Sequence, residues 1–90
     1  MIYVDDLKRC PPVDETGGRW RFKNYCRLWC SDTGTLHLFA GNLLNLKPEY
    51  FQNTPRFPHY DLTAAKRRLA IKHGAKPVTS AELVKLAGLV

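Results

Sequence analysis

Apolar and polar positions follow three different rhythms along this chain, and each rhythm predicts an element. Met1–Val4 is apolar and β-prone and halts at Asp5-Asp6, the mark of a short, fully buried strand. Residues 8 to 18 are punctuated by Pro11-Pro12 and Gly17-Gly18 and read as a loop. Trp20 to Cys30 then alternates with period two. Trp20, Phe22, Cys26, Leu28 and Cys30 share one face, with Asn24 out of character, while Arg21, Lys23, Tyr25, Arg27 and Trp29 share the other. That run is long for one strand, so a bulge or break is expected near Asn24.

After Ser31–Gly34 the period changes. Leu36, Phe39, Ala40, Leu43, Leu44 and Leu46 occupy one arc of a helical wheel, and His37, Gly41, Asn42 and Asn45 take the other, with Leu38 the exception. This predicts an amphipathic helix capped by one of the Ser31–Thr33 oxygens. Lys47-Pro48 ends it. Loop follows to Pro58, and His59–Leu62 is either a very short strand or the lead into the next helix. Thr63 is a natural N-cap for a helix over Ala64–Lys72 that stops at Gly74. Lys76–Val78 is a candidate short strand, and Thr79-Ser80-Ala81-Glu82 has the capping-box spacing that opens a last helix through Leu86. The order predicts an α/β fold: a small sheet of about three or four strands, at least partly parallel, with about three helices packed on it.

Composition narrows the class. Ninety residues make a single domain over 1–90, burying only about 60–65% of its unfolded surface. With 44% hydrophobic residues there is enough apolar surface to offset chain entropy, which excludes wholesale disorder. The formal charge of +6 and the sequence pI near 9.5 favour polyanionic partners, whether nucleic acid, nucleotide phosphates or an acidic protein surface, without distinguishing among them. Three cysteines, Cys10, Cys26 and Cys30, have no disulfide-framework spacing. No basic stretch followed by an apolar run opens the chain, and no apolar stretch approaches the ~20 residues of a membrane span, so the cytoplasm is the expected location.

Candidate chemistry sits in three segments: Asp5-Asp6, Ser31-Asp32 with His37, and His59-Tyr60-Asp61 with Lys66-Arg67. Each follows strand-like sequence. If the strands run parallel, their carboxyl ends lie together, and the side chains arrive at one edge. Asp5, Asp6, Asp32 and Asp61 would then hold Mg²⁺ or Mn²⁺, His59, His37 and Tyr60 would serve as acid–base groups, and Lys66 and Arg67 would clamp phosphate at a helix N-terminus. The plainer reading makes Asp32 and Asp61 caps and Asp5-Asp6 a strand stop. A zinc set of Cys26, Cys30 and His37 is disfavoured, because four residues along a strand span about 13 Å. The strand face Arg21, Lys23, Tyr25, Arg27 and Trp29 interleaves cations with rings in a way that suits nucleic acid; its rival is a solvated face whose rings pack under a helix. The basic run Lys66, Arg67, Arg68, Lys72, His73, Lys76 makes no single stripe and reads first as solvated helix surface.

Taken together, Ile2-Tyr3-Val4-Asp5-Asp6, Cys26-x-x-Trp29-Cys30-Ser31-Asp32-Thr33 with Leu36-His37, and His59-Tyr60-Asp61-Leu62-Thr63 with Lys66-Arg67, Ala70 and Gly74-Ala75 resemble the small phage and bacterial family called domain of unknown function 4031. The resemblance runs from Met1 to about Thr79. The family pattern has a histidine after the first cysteine of the middle motif, where this chain has Arg27. The resemblance implies a phage or bacterial origin, with the host cytoplasm as the location if phage-encoded, and it supplies no activity. Three readings follow. One is a nucleic-acid- or nucleotide-associated protein with a metal-dependent phosphoryl or phosphodiester site. Another is a non-enzymatic protein that binds a host protein through Tyr25, Trp29, Tyr50, Phe51 and Phe57. The last is a nucleic-acid-binding module without catalysis.

Overall fold

A computed structural model describes residues 1–9 and 24–89. Cys10, Arg21, Lys23 and most of the proline- and glycine-punctuated loop lie outside the described residues. The described residues form a mixed sheet of six strands with three α-helices: β1 (Tyr3–Val4), β2 (Lys8–Arg9), β3 (Asn24–Trp29), α1 (Thr33–Leu38), β4 (Phe51–Gln52), β5 (His59–Leu62), α2 (Ala64–Lys72), β6 (Lys76–Pro77) and α3 (Ser80–Leu86). The α/β class holds, but the sheet has more strands than the three or four expected. Four of the six are two-residue pieces that carry too little pattern to announce themselves.

The order is β4-β5-β3-β1-β6, with β2 pairing β3 off that path. β3 is antiparallel to β1, β2 and β5, while β1 and β6 are parallel. The long strand β3 is thus reversed between β1 and β5, which run the same way as each other and as β6. Its neighbours on both sides explain the run of apolar residues it presents inward.

Alternation sorts the side chains into two faces. Val4, Cys26, Leu28, Cys30, Tyr60 and Leu62 point one way, where Leu36, Ala40, Leu44 and Ala70 from α1, its extension and α2 complete the main core. Trp29 points the other way and packs with Val78 and Leu83 of the α3 region, flanked by Tyr3, Phe57 and Ala87. Trp29 is only 8% exposed, so the outward ring expected from the sequence lies under a helix.

The predicted helix from Leu36 to Leu46 is two pieces. α1 is followed by a π-helical turn at Phe39–Leu43, and Asn45 closes it with a left-handed φ of 54°. Leu36, Ala40 and Leu44 stay buried, and Leu43 turns outward with Leu38. Asp32 is the cap that the Ser31–Thr33 group promised. Thr63 caps α2, and Thr79 with Glu82 closes the capping box of α3.

Candidate functional site: a charged cluster on the second face of the sheet

Because β1 and β5 run together, Asp5 and Asp61 arrive at the same end of the sheet. They arrive in the same cross-strand row. The ladder pairs Val4 with Leu28, so Asp5 stands opposite Arg27, and Arg27 in turn pairs with Asp61. Asp5, Arg27 and Asp61 therefore share the face that also carries Tyr3, Tyr25, Trp29 and His59.

Asp5 is wholly buried. Its main-chain N–H donates to the Arg27 carbonyl, but the return bond, 2.7 Å from the Arg27 N–H, goes to carboxylate Oδ1. The side chain replaces its own main-chain carbonyl in the ladder. That carbonyl is turned aside to accept from Arg67 Nε at 2.9 Å. Oδ2 takes the Lys8 ammonium and the Ser80 hydroxyl. Asp6 is exposed and accepts the Ser80 N–H at the start of α3. The aspartate pair therefore ends β1 and pins the N-terminus of α3 at once.

Asp32 does not join them. It follows β3, which runs the opposite way, so it lies at the other end of the sheet from Asp5 and Asp61. Its carboxylate accepts from the Thr35 hydroxyl and N–H, and those bonds hold it below the usual carboxylate range. The three-aspartate pocket for Mg²⁺ or Mn²⁺ is not formed, and the reason is strand direction. Among the described residues no three His, Cys, Asp or Glu side chains are grouped to hold a metal ion.

The expected phosphate clamp is also rearranged. Lys66 donates to the Leu44 carbonyl at 2.6 Å, closing the π-helical turn, and Arg67 holds the Asp5 carbonyl. Both face main-chain oxygens. His37 is exposed on the main-core face of the sheet, with Nδ1 2.7 Å from the Tyr60 hydroxyl and its ring edge-on to Phe51 and Tyr60. Burial pushes the Tyr60 phenol up. His37 and Tyr60 thus pair with each other, away from Asp61.

On the strand face, Arg27 lies over the rings of Tyr25 and Phe57, and Lys8 lies over Tyr25. Tyr3, Trp29 and Phe57 stack in sequence. The cations and rings that suggested a nucleic-acid surface pair with one another, and Arg21 and Lys23 lie outside the described residues. Cys26 and Cys30 are buried free thiols. Burial first, then the Asp5 carboxylate, pushes the Cys26 thiol up to about 12, which leaves it protonated and a poor nucleophile at neutral pH.

One pair remains unabsorbed by structural roles. His59 Nδ1 lies 2.7 Å from the Phe57 carbonyl, which only accepts, so Nδ1 carries the proton. Nε2 then faces Asp61 Oδ1 at 3.4 Å, and neither atom has a hydrogen-bond partner. The roles of Lys8, Ser80 and the Phe57 carbonyl were not signalled by the sequence. Only Pro58, which keeps Phe57 extended, hints at the last of these.

No curated protein and no solved structure gave a match. A family model described as Protein of unknown function (DUF4031) matches residues 2–88. The match takes in β1 with Asp5-Asp6, the His59–Leu62 strand and all three helices, and with nearly the whole chain covered, this protein belongs to that family of proteins of unknown function.

Proposed function

We propose that the protein associates with phosphate-bearing polyanions, nucleic acid foremost, through the outward cations of α2 and β6. The supporting observation is a one-sided charge distribution. Between Asp61 and Glu82 the chain has five lysines and arginines and no acid. Lys66 and Arg67 turn inward, whereas Arg68 and Lys72 stand exposed one turn apart on α2, followed by Lys76 exposed on β6. None of these three forms an ion pair with another described residue. Such a surface gains by releasing counterions from nucleic acid, an attraction to the backbone that carries no base preference.

Trp29, the largest ring of the proposed host-protein surface, lies beneath α3, which weighs against that alternative. The phosphoryl chemistry read from three aspartates is not part of the proposal.

The test is anisotropy of a labelled oligonucleotide. With about three phosphate contacts, affinity for a single strand should fall roughly 20-fold between 50 and 200 mM salt. Reversing Arg68→Glu with Lys72→Glu should weaken binding and flatten the salt slope by about 1.4. Chelator should change nothing. Binding that ignores salt, or survives the reversal, overturns the proposal.

A further inference from the structure

Both ends of the sheet are blunted against pairing with another chain. Among the described residues the sheet ends on β6 and β4. β6 carries an exposed Lys76 and has Pro77 without a main-chain N–H, and β4 is a two-residue strand bracketed by Pro48 and Pro55. The formal charge of +6 adds a general repulsion between copies. One face escapes both restrictions. From Thr33 to Leu46, across α1 and the π-helical turn, the chain holds no Asp, Glu, Lys or Arg, although 24% of its residues are charged. The outer face of a surface helix ordinarily carries such charges.

Here it carries leucine instead. Leu38 is 65% exposed and Leu43 42%. The π-helical turn brings the two together. Five residues at 3.6 per turn would overshoot one α-helical turn by about 140°, whereas an i→i+5 turn sets the fifth residue nearly above the first. Gly41, between them in sequence, is exposed, and a Cβ built on it would meet no atom of another segment within 4 Å. Its own molecule gives no packing reason for a glycine, which weakens the helix that holds it. A second backbone approaching closely does. Asn42 and Asn45 flank the notch, both exposed. An amide donates and accepts, so it can bond to its own copy across a two-fold axis, which an ammonium or guanidinium cannot.

We propose that this charge-free face is the contact surface of a symmetric dimer, in which Leu38, Gly41 and Leu43 of one copy meet the same residues of a second. An acidic partner fits α2 and not this face, which offers it no cation. A copy of the chain fits because each group on the face complements itself. The inference is independent of the cationic surface on α2, and either can fail alone.

The patch is small, so the dimer is of the weak class, and sedimentation of the whole chain should cover about 10 µM to 1 mM. Association should appear in that range and strengthen with salt, because screening relieves the repulsion between like-charged copies. Nucleic-acid binding goes the other way. Leu38→Glu should raise the dissociation constant by about tenfold or more, since two carboxylates then meet near one axis. Gly41→Gln should weaken association while raising the urea midpoint of the dilute chain, so that lost folding cannot explain its effect. Leu86→Glu, at an exposed leucine of α3, should leave association unchanged. A chain that stays monomeric throughout the range overturns the dimer, as does assembly that continues past two copies. So does association that survives Leu38→Glu or is lost in Leu86→Glu. Should Leu38→Glu fail to fold by circular dichroism, Gly41→Gln decides the question. A monomer whose 37–45 amide signals shift with an oligonucleotide would give this face to nucleic acid instead.

Discussion

Asp5 shows how one side chain can fix several elements. Its carboxylate accepts a ladder bond from Arg27, the Lys8 ammonium and the Ser80 hydroxyl, so it ties β1 to β3 and to the start of α3. Asp5→Ala strips all three donors, leaving a buried N–H without an acceptor. The loss should be about 2–3 kcal/mol, moderated because Lys8 is a quarter exposed and can rehydrate. Asp5→Asn keeps a carbonyl for the Arg27 N–H and should lose about half as much; urea unfolding of the two variants measures both. Cys26 makes a prediction about alkali. Its folded value, raised by burial to about 12, exceeds the unfolded value of 9.0. A raised folded value means that the contribution is complete below pH 9 and is lost as pH climbs toward 12, because only the unfolded chain releases the proton in that window. Cys26→Ala should therefore show a shallower fall in urea midpoint between pH 8 and pH 11 than the parent. In the native protein, alkylation of this thiol at pH 8 should wait for unfolding.

At the scale of elements, the parts most legible in the sequence were those whose signal is local. Thr63 and Thr79-Ser80-Ala81-Glu82 announce α2 and α3 because a cap is a bond between residues three apart. The π-helical turn was not legible. Its end is held by a partner 22 residues away, Lys66, whose ammonium donates to the Leu44 carbonyl at the point where Asn45 turns left-handed. A lysine on one helix closing the end of another leaves no trace in the periodicity of either. Lys66→Met retains the aliphatic stem and deletes that charged bond, so it should cost about 1–2 kcal/mol, read by chemical denaturation. Asp32 behaves oppositely to Cys26. Its folded value is lowered by the Thr35 bonds, so its contribution is present above the ordinary carboxylate range and disappears as pH falls through it. Asp32→Ala should remove that part of the acid sensitivity.

For the molecule as a whole, what could not be read was strand direction. Alternation and apolar runs reveal that a strand exists and which face is buried, but the same pattern serves parallel and antiparallel neighbours. Reversing β3 between β1 and β5 sends Asp32 to the far end and leaves Asp5 and Asp61 together across Arg27. Half of the expected constellation survives for that one reason. The same reversal places Trp29 on the face that α3 must cover, and among the described residues the cover is thin: Val78 and Leu83 are its buried partners, with Tyr3, Phe57 and Ala87 at the margin. Among the described residues the main core on the other face has several times as many buried side chains. The second layer should therefore loosen first. Leu83→Ala removes the most buried apolar side chain of α3 and should cost about 2–4 kcal/mol. In a Trp20→Phe background, where Trp29 is the sole indole, its emission should shift to the red as water reaches the ring. The helical signal of α1 and α2 should melt at higher denaturant than the indole signal, since their contacts lie on the opposite face. Coincident transitions for the two probes would mean that both faces unfold as one unit, and the division of this small protein into a strong and a weak layer would be wrong.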